Sequence, residues 1–307
     1  MPEKIFSSLH THTTFCDGKD DVETMCRTAY EKGLAAIGFS AHAPVGATGL
    51  KTSWHLKDSR LGEYVDEVNA ARRRWEGRLA VYLGLEVDYI KGLRSPLDRD
   101  IQELNLDFAI GSVHYLAPPR GGPFTVDSSA EEMEKGIAAG FGGDGEAMMN
   151  AYWDTVMEMI ALGGFDIVGH IDLVKKTNGD FTGSQDSARS LGSTGSRGRW
   201  FNRESGLYTR RLEEAAAAIS AGGLVVELST GALNRRYHNE TYPSLPILRL
   251  LRRYNVPVMI SADAHRAADL DGFYPIACQM LFEAGYKSHV VFKGRKNGQP
   301  IWQTVSK

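Results

Sequence analysis

The stretch 7-SSLHTHTTFCDG-18 starts out like a strand and ends with His10, His12 and Asp17 packed into eight residues. Side chains at i and i+2 of a strand project from one face, so the imidazoles of His10 and His12 can converge on one point, as a pair of metal ligands must. Taken alone, such an HxH pair is equally compatible with a chance pairing at an exposed strand end. The rest of the chain has to decide.

Working outward, short apolar runs rich in β-branched and aromatic residues recur at Ile5 to His10, Ala35 to His42, Leu79 to Glu86, Phe108 to His114, Phe165 to His170, Leu224 to Ser229 and Val256 to Asp263. Between them, Val22 to Lys32, Arg60 to Trp75, Ala147 to Leu162, Tyr208 to Ala221 and Pro246 to Tyr254 carry helical periodicity with charged outer faces. Alternating strands and helices predict a parallel sheet, and this many units favour a closed or nearly closed α/β barrel over an open sheet. A last apolar run, His289 to Phe292, reads as an eighth strand or a cap. Residues 117–145, dense in Gly and Pro, and 181–206, rich in Ser and Gly with four arginines against two acids, read as long loop insertions. No internal repeat is visible.

At 307 residues the chain fits one large barrel domain spanning 1–307. Its 35 basic and 38 acidic side chains give a net charge of −3, which offers no global attraction to nucleic acid or an anionic membrane. Cys16, Cys26 and Cys278 are scattered and lack CxxC spacing, so neither a disulfide framework nor a thiolate zinc site is indicated. The opening MPEKIFSSLH lacks the apolar core of a signal peptide, and no run is long enough to cross a bilayer. A cytoplasmic protein is expected.

The informative step is to ask what stands at the C-terminal end of each strand. The first ends in His10 and His12 with Asp17 beyond, the second in His42, the third in Glu86, the fourth in His114, the fifth in His170 and the seventh in Asp263 and His265. In a parallel barrel those ends form a single face, where barrel enzymes keep their chemistry. The pattern uses six of the nine histidines and leaves His55, His238 and His289 unassigned, which chance placement would not do. Nine such side chains exceed the three or four protein ligands of one catalytic zinc, manganese or iron ion, so two or three divalent ions are expected, with the two-oxygen carboxylate of Glu86 suited to bridge. Asp88 and Asp172, each two residues past a ligand, are candidates to orient imidazoles; for Asp88 simple solvation is an equal alternative.

The segments 10-HTHTTFCDG-18, 38-GFSAHAP-44, 84-GLEVDYI-90, 111-GSVHY-115, 168-VGHIDL-173 and 261-SADAH-265 resemble the polymerase-and-histidinol-phosphatase (PHP) superfamily of metal-dependent hydrolases, and within it the histidinol-phosphate phosphatase branch. The resemblance runs nearly end to end. It implies a distorted, TIM-like (β/α)7 barrel with a trinuclear metal site at the C-terminal ends of the strands. Carried over by position, it places His10, His12, Glu86 and Asp263 on one metal, Glu86, His114 and His170 on a second, and Asp17, His42 and His265 on a third. One departure is 226-VELSTGALNRRY-237, where the family often has an asparagine-bearing motif and this chain has Ser229.

The reaction so implied is hydrolysis of L-histidinol phosphate to L-histidinol and phosphate, a step of histidine biosynthesis, by a hydroxide held among His10, His12, Glu86, His114, His170 and Asp263. Lys175, Lys176, Arg235 and Arg236 follow strands five and six, where an arriving phosphate could be clamped; His238, Tyr237 and the two insertions are candidates for the imidazole and ammonium of the substrate. The rival readings are a PHP-type nuclease or nucleotide phosphatase, for which only Arg189, Arg197, Arg199, Trp200 and Arg203 speak, and a non-catalytic metal-binding regulatory subunit, whose signature would be lost ligands. The sequence leaves oligomeric state open.

Overall fold

The computed structural model describes residues 6–50, 52–179 and 198–306. The strands are β1 (Ser7–Ser8), β2 (Ala36–His42), β3 (Ala80–Asp88), β4 (Phe108–Ser112), β5 (Tyr115–Leu116), β6 (Phe124–Thr125), β7 (Ile167–Val168), β8 (Val225–Ser229), β9 (Val258–Ser261), β10 (Ser288–Lys296) and β11 (Gln299–Ser306). The helices are α1 (Val22–Glu31), α2 (Leu61–Trp75), α3 (Arg99–Gln102), α4 (Ala130–Phe141), α5 (Gly145–Leu162), α6 (Gly206–Ala221), α7 (Gly231–Arg235), α8 (Leu245–Arg253) and α9 (Tyr274–Glu283).

Seven strands form one parallel sheet in the order β1-β2-β3-β4-β7-β8-β9. The ring closes just past β1 and β9, where His12 N–H donates to Ala264 O at 2.8 Å and Ala264 N–H to His10 O at 3.0 Å. This seven-stranded α/β barrel is the fold expected from the alternating pattern. Every residue of β2, β8 and β9 is buried, which is why these strands read as continuous apolar runs rather than alternating ones.

The helices start and stop where local chemistry requires. Asp21 accepts from Thr24 N–H to cap α1, whose Val22, Met25, Cys26 and Ala29 recur at helical spacing and are buried. Asp144 caps α5 in the same way, and Gly163, at φ 74°, ends it.

The barrel interior is filled at its N-terminal end by Phe108, which presses on β2 and β3. A Cβ at Gly84 would lie 2.5 Å from the Phe108 ring, so only glycine admits that ring. Below it the antiparallel β10–β11 hairpin seals the barrel: the Phe292 ring stands 4.9 Å from Tyr82, 5.8 Å from Phe108 and 5.3 Å from Trp302. The run His289 to Phe292 is therefore a cap and not an eighth barrel strand.

Other expectations change. The regular ladder of the first and fifth strands shrinks to two residues each, and beyond it single backbone bonds hold the chain, such as Ala35 N–H to Phe6 O at 2.7 Å and Gly169 N–H to Gly111 O at 2.9 Å. The insertion 117–145 is not a loop throughout: it holds β6, which pairs back on β5 as a hairpin, and the twelve-residue α4, capped by Ser129. Glycines at 136 and 140 hide the helix from propensity, yet α4 uses them to pack closely on Phe124 and Pro118. Of the insertion 181–206, residues 181–197 lie outside the described residues. Among the described residues no helix is long and apolar enough to cross a membrane.

Candidate metal centre

The nine strand-end residues converge at the C-terminal mouth of the barrel. Their donor atoms fall into four groups, each within 4.8 Å: His12, Asp17, His42 and His265; His10, His12 and Asp263; His10, Glu86 and His170; and His42, Glu86 and His114. Glu86 is the centre. Its Oε2 lies 3.2 Å from His10 Nε2 and 2.8 Å from His42 Nδ1, while its Oε1 lies 2.8 Å from His170 Nε2 and 3.5 Å from His114 Nε2. The grouping differs from the expected partition in that His10, His12 and His42 are each shared between two groups.

The backbone delivers these side chains by specific devices. The bridge of Thr11 to Ala264 brings the HxH segment beside Asp263 and His265 although they are some 250 positions apart in sequence. Gly18 lets the 13–18 turn fold onto the first strand, since a Cβ there would stand 2.5 Å from the His12 carbonyl carbon; the turn puts Asp17 Oδ2 3.1 Å from His265 Nε2. Asp263 adopts φ 46°, a left-handed conformation that asparagine and aspartate tolerate best and that recurs at functional sites.

Two further carboxylates hold the imidazoles. Asp88 Oδ1 accepts from His114 Nδ1 at 2.8 Å and Oδ2 from His55 Nε2 at 2.8 Å, so it is buried and bonded, not solvated. Glu227 Oε2 accepts from His10 Nδ1 at 2.8 Å and from Ser261 Oγ at 2.7 Å, and its Oε1 from His170 N–H at 2.7 Å. With Nδ1 donating outward, His10 and His114 present the Nε2 lone pair inward, the tautomer a metal ligand needs. Glu227 was missed by sequence reasoning; its only signal was a charge inside the apolar run VVELS. Asp172, by contrast, orients no imidazole: its Oδ2 takes Lys175 Nζ at 2.6 Å and Ser244 N–H at 3.1 Å. Asp88→Asn is expected to weaken metal affinity or activity by roughly 10- to 100-fold, to be measured by metal titration of the purified variant.

The donor set suits divalent cations. His10 Nε2, His12 Nε2, Asp17 Oδ1, His42 Nδ1 and Glu86 Oε2 are buried with no hydrogen-bond partner, all of them electron-pair donors aimed at the same space. Burial opposes charge on Glu86 and Asp263, but His10, His42 and His114 around the first and Arg235 and His10 around the second hold both carboxyls well below their ordinary range. Burial likewise opposes a charge on His114, yet Asp88 and Glu86 raise it to about 10. Burial, with His265 and His42 alongside, pushes His12 down to about 3. Both carboxylates are thus ionised, and the positive charge that the raised His10, His42 and His114 place beside them is the charge a bound cation would supply in its stead.

The basic candidates separate. Arg235 stands at the site, donating to Asp263 Oδ2 and to His265 Nδ1 at 2.9 Å, with Tyr237 beneath its guanidinium at 5.3 Å. Lys176 is at the rim, bonded to Asp127 Oδ1 at 2.6 Å and set 4.5 Å from the Tyr237 ring. Lys175 is not available to a phosphate: it is fully buried, donating to Asp172 and, at 2.6 Å, to Thr241 O. The 3-10 turn Leu173–Lys175 aims it inward. Arg236 is exposed at φ 56°. His238 is buried beside Tyr242, accepts from Glu240 N–H at 3.1 Å, and is lowered to about 4 by burial and Lys175. Trp54, stacked on Tyr115 at 5.6 Å, meets His42 and His114 in T-shaped contacts at 4.6 and 5.2 Å and walls one side of the mouth.

A PHP domain family model matches residues 8–231. The chain belongs to the PHP family. Seven of the nine clustered residues of this PHP chain lie inside the matched span; Asp263 and His265 lie beyond it and are brought in by ring closure. The histidinol-phosphatase of Bacillus subtilis is 27% identical over 278 residues, covering 86% of the PHP chain and 95% of that protein. The crystal structure of hisK from Listeria monocytogenes superposes with a TM-score of 0.73 at 25% identity, covering 89% of this chain and all of that one. Histidinol phosphate phosphatase from Lactococcus lactis, solved with zinc, L-histidinol and phosphate, shares the fold with a TM-score of 0.61 at 18% identity, covering 95% of this chain and 99% of that one.

Proposed function

We propose that this PHP chain is a metal-dependent phosphomonoesterase that hydrolyses L-histidinol phosphate to L-histidinol and phosphate. The observation that carries the reading is the nine-residue donor cluster around Glu86. The named activity of the Bacillus subtilis relative, and the zinc, histidinol and phosphate held by the Lactococcus lactis protein, support it. Two to three divalent ions, zinc, manganese or iron, would be held by His10, His12, Asp17, His42, Glu86, His114, His170, Asp263 and His265. When bound, such ions neutralise phosphoryl oxygens and lower the pKa of water toward neutrality, which provides a nucleophile for in-line attack.

The chain's own groups do the rest. Glu227 and Asp88 fix the ring orientation of His10 and His114, and Ser112 Oγ donates to Glu86 Oε1 at 2.7 Å to hold the central carboxylate. Arg235, anchored by Asp263, presents the guanidinium nearest the cluster, a geometry suited to a phosphate oxygen. Arg235→Ala is expected to raise KM by roughly 10- to 100-fold, the worth of one or two charge-assisted hydrogen bonds, with kcat changed less. Steady-state kinetics on the metal-loaded variant check this; an unchanged KM removes Arg235 from the substrate site.

Nucleic acid is a poorer fit. The described arginines of the basic stretch are already paired, Arg199 with Glu134 and Arg203 with Glu240, while Arg189 and Arg197 lie outside the described residues. A panel of histidinol phosphate, sugar phosphates, nucleotides and a short single-stranded DNA tests the substrate. Selective phosphate release from histidinol phosphate is expected; equal or better turnover of a nucleotide or DNA overturns the assignment while leaving the metal chemistry intact.

A further inference from the structure

Among the described residues, one acidic side chain at the mouth neither joins a donor group nor orients an imidazole. Asp127 comes from the insertion after β4, and the chain places it with care. The β5–β6 hairpin pairs Tyr115 with Thr125, and Val126 N–H then donates to His114 O at 2.8 Å, so the next residue, Asp127, lies alongside the strand end that delivers His114. Lys176 grips it from the far side of the rim, through Asp127 Oδ1 at 2.6 Å and the Asp127 carbonyl at 3.2 Å. Lys176 is itself held over the Tyr237 ring, next to Arg235.

A pin between the hairpin and the turn after β7 would need only the oxygen that Lys176 already takes. The other, Oδ2, has no hydrogen bond among the described residues, and the side chain keeps 33% of its surface open. Among the described residues the rim therefore offers one guanidinium at the cluster and, beside it, one carboxylate with an oxygen left over. A ligand with adjacent negative and positive groups matches that order. In histidinol phosphate the amine is on the carbon next to the ester carbon, so its ammonium must lie close to wherever the phosphate is bound.

We propose that Asp127 is the specificity residue of this site, accepting the substrate's ammonium on Oδ2 while Lys176 holds the carboxylate in place. This rests on the histidinol-phosphate reading above. It also explains the insertion 117–145, which carries a selective carboxylate to a metal site that would otherwise accept any small phosphate ester.

The test compares kcat/KM for L-histidinol phosphate with that for the same ester lacking its amino group, in the metal-loaded wild type, Asp127→Asn and Asp127→Glu. The wild type is expected to prefer the amine-bearing ester by roughly 10- to 100-fold, the range for one charge-assisted contact. Asp127→Asn should collapse that ratio toward one, and Asp127→Glu, which keeps the charge, should retain most of it. A ratio that survives in Asp127→Asn overturns the role of Asp127 and leaves the enzyme assignment standing. A wild type that turns over both esters without preference also overturns it, and a wild type that hydrolyses neither brings down the underlying reading instead. Because the readout is a ratio within each variant, a general loss of stability does not imitate it.

Discussion

Glu86→Gln should leave a folded barrel that has lost at least one equivalent of metal and about three orders of magnitude in kcat/KM. The replacement is isosteric, so packing around this buried residue is conserved. What changes is charge and donor character. Among the described residues Glu86 is the only carboxylate whose two oxygens face five imidazoles, His10, His12 and His42 at Oε2 and His114 and His170 at Oε1. An amide supplies one weak acceptor and a donor group where two anionic oxygens stood. Divalent ions contribute several kcal/mol of charge stabilisation in phosphoryl transfer, and each ~1.4 kcal/mol lost is a factor of ten in rate. Metal analysis beside kinetics on one preparation checks both halves; a variant with full metal content and near-normal turnover would remove Glu86 from its central place.

Lys175→Met should be the most destabilising single substitution near the site, by about 3–5 kcal/mol, without acting on the chemistry directly. Lys175 is wholly buried among Asp172, the Thr241 carbonyl, Glu240 Oε2 at 3.4 Å and the Tyr242 ring at 4.8 Å. Removing one partner of a buried pair strands the other charge, which costs far more than the pair itself contributes. The expected fall is read from denaturant unfolding. Asp172→Leu combined with Lys175→Met should recover much of it, since no buried charge of the pair is then left alone. A loss below about 1 kcal/mol in the single variant would mean that the pair is solvated and that Lys175 can still reach the rim.

That lysine also shows where the sequence stops being readable. The strand-end rule located all nine clustered residues, because in a parallel barrel a polar side chain after an apolar run has one place to go. It failed past the fifth strand, where the regular ladder covers only Ile167–Val168 and a 3-10 turn follows soon after. Alternation no longer says which way a side chain points there, and Asp172 and Lys175, read as an imidazole partner and a phosphate clamp, turn toward each other. Glu227 was hidden for the opposite reason: it sits inside a fully buried strand, and although Ser261 is on the neighbouring β9, its partner His10 comes from the far end of the chain, which only ring closure brings near. The helix α4 and the hairpin carrying Asp127 escaped because glycine and proline, which lower local propensity, are used there for close packing.

The central claim, that a cluster of metal ions on this donor set performs the hydrolysis, is tested most directly by stripping the protein with a chelator and titrating a divalent ion back while following phosphate release from histidinol phosphate. Activity should vanish on removal and return in step with two to three equivalents of ion per chain. Full activity persisting in protein that holds less than one equivalent would contradict it.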